Sequence, residues 1–100
     1  MVGYSATKAA LVGMTLPAAR EFAGRGIRVN TIVAGGFATP ILQGFIDDGG
    51  IAEQTALYLN PRRLGKPEEF AAFAAHMIEN EFFNAAVPRL DAGYRIPLSL

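Results

Sequence analysis

The pattern of apolar and polar positions predicts that the chain begins with a long helix. From about Tyr4 to Ala23, small and apolar side chains recur at the spacing of one helical face, and alanine is abundant. Gly24 and Gly26 provide a C-terminal stop, whereas Pro17 predicts a local bend inside the helix. The apolar stripe comprises Leu11, Thr15, Ala18, Ala19 and Phe22.

A strand and a glycine turn follow this helix. The run from Ile27 to Val33 is rich in β-branched residues and predicts a strand. Ala34, Gly35 and Gly36 come directly after it. Paired glycines are typical of a sharp turn where the backbone can approach a ligand closely.

Residues 40–59 are predicted to form a helical insert. Apolar positions in 41–46 favour a short helix, and those in 51–59 favour a second one. The sequence Asp47-Asp48-Gly49-Gly50 predicts a solvated break between the two helices. A cation site on the acidic pair is the less favoured alternative.

A further helix and a final strand complete the pattern. Pro67 suits the first turn of a helix that ends near Asn80, and Glu68 and Glu69 complement the positive end of its dipole. Residues 86–91 predict a strand, although Pro88 within it cannot donate to a ladder.

The predicted order of helix, strand, helical insert, helix and strand indicates the α/β class. A strand–helix–strand unit implies a right-handed parallel crossover. Parallel sheets are normally covered on both faces and contain more than two strands. We therefore expect the chain to form one edge of a larger doubly wound parallel sheet.

Composition excludes several classes of protein. The 100 residues are 51% hydrophobic and 18% charged, with nine basic and nine acidic side chains, as in an ordinary soluble globular domain. The sequence lacks the basic excess that is typical of a nucleic-acid-binding protein. No apolar run reaches the roughly 20 residues that a membrane span needs. With no cysteine and no cluster of ligand side chains, no metal site is predicted. The cytoplasm, or the mitochondrial matrix of a eukaryotic cell, fits this composition best.

Tyr4 and Lys8 are the first candidates for chemistry. Their i, i+4 spacing places them on one face of the first predicted helix. A lysine ammonium beside a phenol stabilises the phenolate, and such a pair can move a proton to or from an alcohol or carbonyl oxygen. The same spacing is frequent by chance on helical surfaces, so the spacing alone leaves both interpretations open.

The residues around this pair resemble the active-site segment of the short-chain dehydrogenase/reductase family. Residues 3–11, Gly-Tyr-Ser-Ala-Thr-Lys-Ala-Ala-Leu, contain its Tyr-x-x-x-Lys signature. Residues 26–32 resemble the family's next strand, residues 63–69 its Arg-x-Gly-x-Pro-Glu-Glu motif, and residues 90–93 its closing strand and Asp-Gly turn. The matches occur in family order and at family spacing, and they imply a Rossmann-type sheet.

The resemblance implies roles for five positions. Tyr4 would be the general acid/base at the substrate oxygen and would also be one of the cofactor-binding residues. Lys8 would stabilise the Tyr4 phenolate and hydrogen-bond the nicotinamide ribose. Gly35, the backbone of Phe37, and Thr39 would hold the nicotinamide end of NAD, with NADP as the alternative cofactor.

The resemblance also implies partners. Residues 40–59 would be the substrate loop, acting on an alcohol, a ketone or an acyl-CoA such as a 3-hydroxyacyl-CoA. A homo-oligomer is expected, because members of the family pack the helix that carries the Tyr-x-x-x-Lys signature against a symmetry mate.

Several features of the family are missing from the sequence. Its glycine-rich phosphate turn, catalytic Ser and active-site Asn would all precede Tyr4, so we expect the C-terminal part of such a domain, with the N-terminal half absent. Without that turn, the 100 residues alone are expected to be inactive and not to bind NAD(H) measurably. The alternative is an inactive truncated fragment that serves as an oligomerisation module.

Some matched positions differ from the family pattern. The family usually has Pro at Ala34, and Gly near Ala85 and at Ala92. Together with Pro88 in the last strand, these changes indicate a diverged member or a degraded copy.

Side chains outside the motifs have plainer interpretations. His76, without metal-ligating neighbours, is predicted to be structural or on the surface. Arg62 and Arg63 are predicted to be a solvated charge pair, with attraction of a substrate phosphate as the alternative. Phe82 and Phe83 are predicted to pack in the core or at a subunit interface.

Overall fold

The secondary structure follows the predicted order of elements. A computed structural model describes residues 1–47 and 50–95. It contains helix α1 (Val2–Phe22), a short 3-10 turn (Ala23–Arg25), strand β1 (Val33–Ala34), helices α2 (Pro40–Asp47), α3 (Gly50–Thr55) and α4 (Pro67–Glu79), and strand β2 (Arg89–Leu90). Strands β1 and β2 form a two-stranded sheet, so the predicted α/β class is confirmed.

The chain divides into two compact units, each described by itself. The first contains Met1–Val33 and Ala75–Pro88, and the second contains Ala34–Ala74 and the chain from Arg89 onward. The candidate pair Tyr4 and Lys8 thus belongs to the first unit, and Gly35, Phe37 and Thr39 belong to the second.

The strands pair in parallel. In the first unit, the N–H groups of Thr31 and Val33 donate to the carbonyls of Ala86 and Pro88. In the second unit, Gly35 donates to Leu90 over 2.9 Å. Since the acceptor number rises with the donor number, the pairing is parallel. Pro88 is accommodated because this ladder uses its carbonyl.

Both strands are shorter than predicted. Residues 27–32 lie outside β1 because side chains take over part of their pairing. Val29 donates to the Asn84 side chain, and the Asn30 amide bridges the carbonyl of Phe83 and the N–H of Ala86. The predicted strand 86–91 is likewise reduced to Arg89–Leu90.

Helix α1 buries less of its predicted stripe than expected. Thr15 and Ala19 are buried, but Leu11 is 51% exposed. Thr15 Oγ1 donates to the Leu11 carbonyl and lies 2.6 Å from Thr31 Oγ1, so Thr31 is the donor of that pair. The predicted stop is confirmed at Gly26, which ends the 3-10 turn with φ of 70°.

The insert is helical, with different bounds from those predicted. Asp47, expected in the break, is the last residue of α2, and α3 ends at Thr55 instead of Leu59. Asp48 and Gly49 lie outside the described residues. The chain leaves the helix after Thr55, and Tyr58 is then buried.

Arg28 caps the C-terminal end of α4. Its guanidinium donates to the carbonyls of Met77, Ile78, Asn80 and Phe83 over 2.7 to 3.1 Å. A cation is favourable there, because the last carbonyls of a helix lack intrahelical partners and carry partial negative charge.

Phe82 and Phe83, predicted to pack in the core or at a subunit interface, differ in exposure, and the interface setting of Phe82 stays a prediction. Phe82 is fully exposed in this chain, so it packs in no core here. Phe83 is half-buried, and its ring meets that of His76 edge to face at 6.4 Å. His76 itself is exposed, in agreement with the predicted surface location, which was one of the two alternatives for this residue.

Two alanines have left-handed backbone conformations where the family usually has glycine. Ala85 has φ of 53° and Ala92 has φ of 51°. A Cβ in this region costs roughly 1 to 2 kcal/mol. Glycine at each position should therefore raise the free energy of unfolding by about 0.5 to 1 kcal/mol, since its greater unfolded-state entropy offsets part of the gain.

Denaturant unfolding of Ala85→Gly and Ala92→Gly tests this prediction. Ala86→Gly is the control, because Ala86 has no positive φ and should lose stability on the same change. Equal destabilisation by all three substitutions would contradict the strain assigned to Ala85 and Ala92.

Candidate functional site

Tyr4 and Lys8 lie one turn apart on α1. The Lys8 ammonium nitrogen is 5.6 Å from the centroid of the Tyr4 ring. Tyr4 is 59% exposed and Lys8 is also exposed, so a substrate oxygen can reach the phenol within this unit. The predicted common face is thus present, while the catalytic roles of both residues stay predictions.

The first residue of the glycine turn in the second unit, Gly35, has to be glycine for a structural reason. A Cβ on Gly35 would lie 2.8 Å from both Cα and Cβ of Asp91, a distance that real contacts do not tolerate. The close approach at Gly35 is therefore to the chain's own backbone. Its role in holding a cofactor stays a prediction.

The next residues of the turn are held by a bridge to residues 64–66. Gly65 donates to the Gly36 carbonyl and accepts from Ala38, both over 2.9 Å. The Phe37 ring covers Gly65, where a Cβ would lie 2.5 Å from it, and meets the Phe70 ring edge to face at 5.5 Å. The Phe37 side chain is thereby a packing element of the turn.

The Phe37 backbone offers a free donor. Its carbonyl accepts from Thr39 N–H over 2.8 Å, but within residues 1–47 and 50–95 no hydrogen bond takes up its N–H. An unpaired amide donor fits the carboxamide oxygen of a nicotinamide. The residues present are therefore compatible with the predicted cofactor.

Tyr58 is a component of this turn that the sequence analysis did not identify. It is 2% exposed, and its hydroxyl accepts the Gly36 N–H over 2.8 Å. Its ring stacks at 31° on that of Tyr94, with centroids 5.0 Å apart. The only signal in the sequence was an aromatic residue in a segment predicted to be a surface insert.

A cavity of about 250 Å³ lies beside this turn within the second unit. Its walls are largely apolar, and one ion pair and one carboxylate border it. The lining residues are Gly36, Phe37, Tyr58, Pro61, Arg63, Gly65, Glu69, Leu90, Asp91 and Ala92.

Arg62 and Arg63 are both exposed, as predicted for solvated charges, and Arg63 in addition forms an ion pair with Glu69. Its two terminal nitrogens bind the two carboxylate oxygens of Glu69 at 3.0 and 2.7 Å. Hydrogen bonds from Arg63 and from the Lys66 N–H lower the pKa of Glu69 to about 2. Arg63 is thus engaged within the chain, and Arg62 is exposed.

Asp91 organises the turn after β2. Its side chain is 7% exposed, and it binds the side chains of Arg89 and Arg95 and the N–H of Gly93. Burial by itself raises the pKa of Asp91, but the hydrogen bonds from Arg89 and Gly93 and the two guanidinium charges lower it overall.

This lowered pKa predicts acid sensitivity. A carboxyl whose pKa is lower in the folded than in the unfolded chain stabilises the fold above its unfolded value of about 3.9, and the contribution is lost as the pH falls further. Asp91→Asn should be less stable than wild type at neutral pH. Between about pH 5 and pH 2 its stability should vary less.

The denaturant midpoint measured against pH checks this expectation. Glu81→Gln is the control, because Glu81 is exposed and forms no ion pair among the described residues. An Asp91→Asn profile parallel to that of wild type would show that Asp91 does not carry the acid response.

The described residues contain neither a membrane-spanning helix nor a cluster of metal-ligating side chains. No helix there is long and apolar enough to cross a membrane. No group of three or more His, Cys, Asp or Glu side chains in residues 1–47 and 50–95 could hold a metal ion.

The chain is similar in sequence to known oxidoreductases. The family model described as enoyl-(acyl carrier protein) reductase matches residues 1–95. The chain is 46% identical to 3-hydroxyacyl-CoA dehydrogenase type-2 of Bos taurus over 95 residues, covering 93% of this chain and 35% of that protein. It therefore spans about a third of the length of this relative.

Solved structures agree with the sequence match. A 3-hydroxyacyl-CoA dehydrogenase type-2 from Mycobacterium avium superposes with a TM-score of 0.90 at 40% identity, over 97% of this chain and 37% of that one. A 3-oxoacyl-(acyl-carrier protein) reductase with bound NAD from Brucella melitensis gives 0.75 at 32% identity, over 94% and 34%. A match that spans nearly the whole chain in sequence and in fold shows that it belongs to the short-chain dehydrogenase/reductase family.

Proposed function

We propose that this chain carries the acid/base pair of a nicotinamide-dependent oxidoreductase that interconverts an alcohol and a ketone. The observation that carries the proposal is the exposed Tyr4 phenol with the Lys8 ammonium one helical turn away. These are the residue types that the family's Tyr-x-x-x-Lys signature requires.

In the proposed mechanism, the Tyr4 hydroxyl donates a proton to the substrate oxygen during reduction and removes it during oxidation. Lys8 stabilises the phenolate by its charge and binds the nicotinamide ribose. The free Phe37 N–H and the Thr39 hydroxyl would hold the nicotinamide end. When bound, the cofactor supplies or accepts the hydride.

The proposed substrate class is a 3-hydroxyacyl-CoA or a similar secondary alcohol. The name of the Bos taurus relative supports this class, and NAD is the proposed cofactor, with NADP as the alternative. Since the chain spans about a third of that relative, the substrate class and the cofactor are proposed for the full-length protein.

The direct test is an assay of the full-length gene product. A 3-hydroxyacyl-CoA and a plain secondary alcohol are each supplied with NAD or NADP, and the reduced cofactor is followed by absorbance. Turnover of either substrate supports the oxidoreductase, and their ratio tests the acyl-CoA preference. Absence of turnover in all four combinations would contradict the proposal.

A second candidate function is association with another copy of the chain. The apolar residues Leu11, Val12, Met14 and Leu16 are exposed on α1, and Thr15 and Ala19 are its buried residues. Exposed apolar surface of this kind favours burial against a partner.

We expect this association to depend on concentration. Burying even about 400 Å² of apolar surface contributes roughly 10 kcal/mol, whereas association costs about 4 to 15 kcal/mol. Sedimentation of the 100-residue chain from about 1 to 200 μM should therefore show dimers or larger species at the upper end. Met14→Glu should shift the association equilibrium towards the monomer. If the unsubstituted chain is a monomer at every concentration, it does not serve as an oligomerisation module.

A further inference from the structure

We propose that Tyr58 is a positioning residue for cofactor binding: its phenolic oxygen holds the Gly36 amide and, together with Gly65, fixes the Gly36 backbone from which the Phe37 N–H projects. This inference rests on the proposed function, because it assigns Tyr58 to the same nicotinamide-binding turn. Tyr58 is not expected to touch the reacting atoms.

Gly36 needs an external anchor because glycine has no Cβ to restrict its two backbone dihedrals. The peptide before it is held by the bond from Gly36 N–H to the Tyr58 hydroxyl, 2.8 Å long. The peptide after it is held by the bond from Gly65 N–H to the Gly36 carbonyl, 2.9 Å long. Tyr58 and Gly65 together therefore fix the conformation of Gly36.

The direction of the Phe37 N–H follows from the second of these bonds. In a planar trans peptide, the C=O and N–H groups point in opposite directions. Since the Gly36 carbonyl faces Gly65, the Phe37 N–H points away from Gly65. In the described part of the chain nothing accepts it, so it remains available to a ligand.

Tyr58 is itself rigidly placed. It is 2% exposed and stacks on Tyr94 at 5.0 Å. The next two residues, Leu59 and Asn60, donate their N–H groups to the Ala92 carbonyl over 3.0 and 3.4 Å. The phenolic oxygen is therefore presented by a buried ring that is tied to the turn after β2.

Two matched substitutions test this role. Tyr58→Phe removes the hydroxyl that accepts from Gly36 and keeps the ring. Tyr94→Phe removes the hydroxyl of the stacked neighbour, which takes part in no side-chain hydrogen bond among the described residues. Both are made in the full-length protein, and amide exchange at Gly36 is measured together with kcat and the cofactor KM.

The expected result separates positioning from general destabilisation. Tyr58→Phe should speed exchange of the Gly36 amide by about tenfold and raise the NAD(H) KM by about five- to tenfold, with kcat within about twofold. Tyr94→Phe should change none of these by more than about twofold.

Each other outcome overturns a named statement. If the wild type is active, two results for Tyr58→Phe would each overturn the positioning role alone. The first is an unchanged exchange rate of the Gly36 amide. The second is a cofactor KM equal to that of Tyr94→Phe. A fall in kcat at constant KM also overturns it. A wild-type protein that neither binds nor turns over nicotinamide cofactors overturns the proposed function, and the positioning role with it.

Discussion

Replacing Tyr4 by phenylalanine is expected to lower kcat of the full-length protein by about 10²- to 10⁴-fold. Phenylalanine keeps the ring on α1 and removes the proton that the proposed mechanism transfers. The cofactor KM should change little, because the ring is retained and Lys8, Phe37 and Thr39 are also proposed to hold the cofactor. Steady-state kinetics with the best substrate of the assay panel measure both constants.

Lys8 provides the matched comparison. Lys8→Ala should lower kcat and also raise the cofactor KM, since Lys8 is proposed to serve both the phenolate and the ribose. Tyr94→Phe controls for loss of a tyrosine hydroxyl elsewhere. If Tyr4→Phe kept more than about a tenth of kcat, a loss under about 1.4 kcal/mol, the acid/base role of Tyr4 would be wrong.

Replacing Gly35 by alanine is expected to destabilise the chain by about 2 kcal/mol. The new Cβ would lie 2.8 Å from backbone and Cβ atoms of Asp91, so β1 and the turn after β2 would have to separate. For a domain of this size the unfolding temperature should fall by about 8 to 16 °C. Thermal unfolding measures this shift.

Gly13→Ala is the control for this substitution. Gly13 lies inside α1, and a Cβ there would have nothing within 4 Å. Alanine should therefore stabilise the helix by about 0.5 to 1 kcal/mol. If both alanines shifted the unfolding temperature in the same direction, the close approach at Gly35 would not govern its substitution.

The candidate site was only partly predictable from the sequence. Tyr4 and Lys8 were found because their signature lies within five consecutive residues of one helix, and the turn at Gly35 was found from its glycines. Tyr58 was missed because its bond to Gly36 joins residues 22 apart, in a segment whose pattern indicated only helix. The predicted functions of Tyr4, Lys8, Gly35, Phe37 and Thr39 remain to be tested.

Local signals in the sequence are sufficient to predict the order of elements and the bounds of α4, because helix signals are carried by neighbouring residues. Pro67, Glu68 and Glu69 specify the first turn within three residues, and Gly26 ends the segment after α1 by its own backbone freedom. Its departures from the family pattern also located Ala85 and Ala92, the two residues other than glycine that have positive φ in the described part of the chain.

The pairing of the strands, and the need for particular residues, depend on the packing of segments that are distant in the sequence. Three features depend on segments that lie roughly 50 or more residues apart. They are the span of β1, the approach of Gly35 to Asp91, and the binding of Arg28 to four carbonyls. Local propensity carries no information about which backbones meet at such separations. The burial of distant side chains against each other decides it, and residues such as Tyr58 acquire a role only once that packing exists.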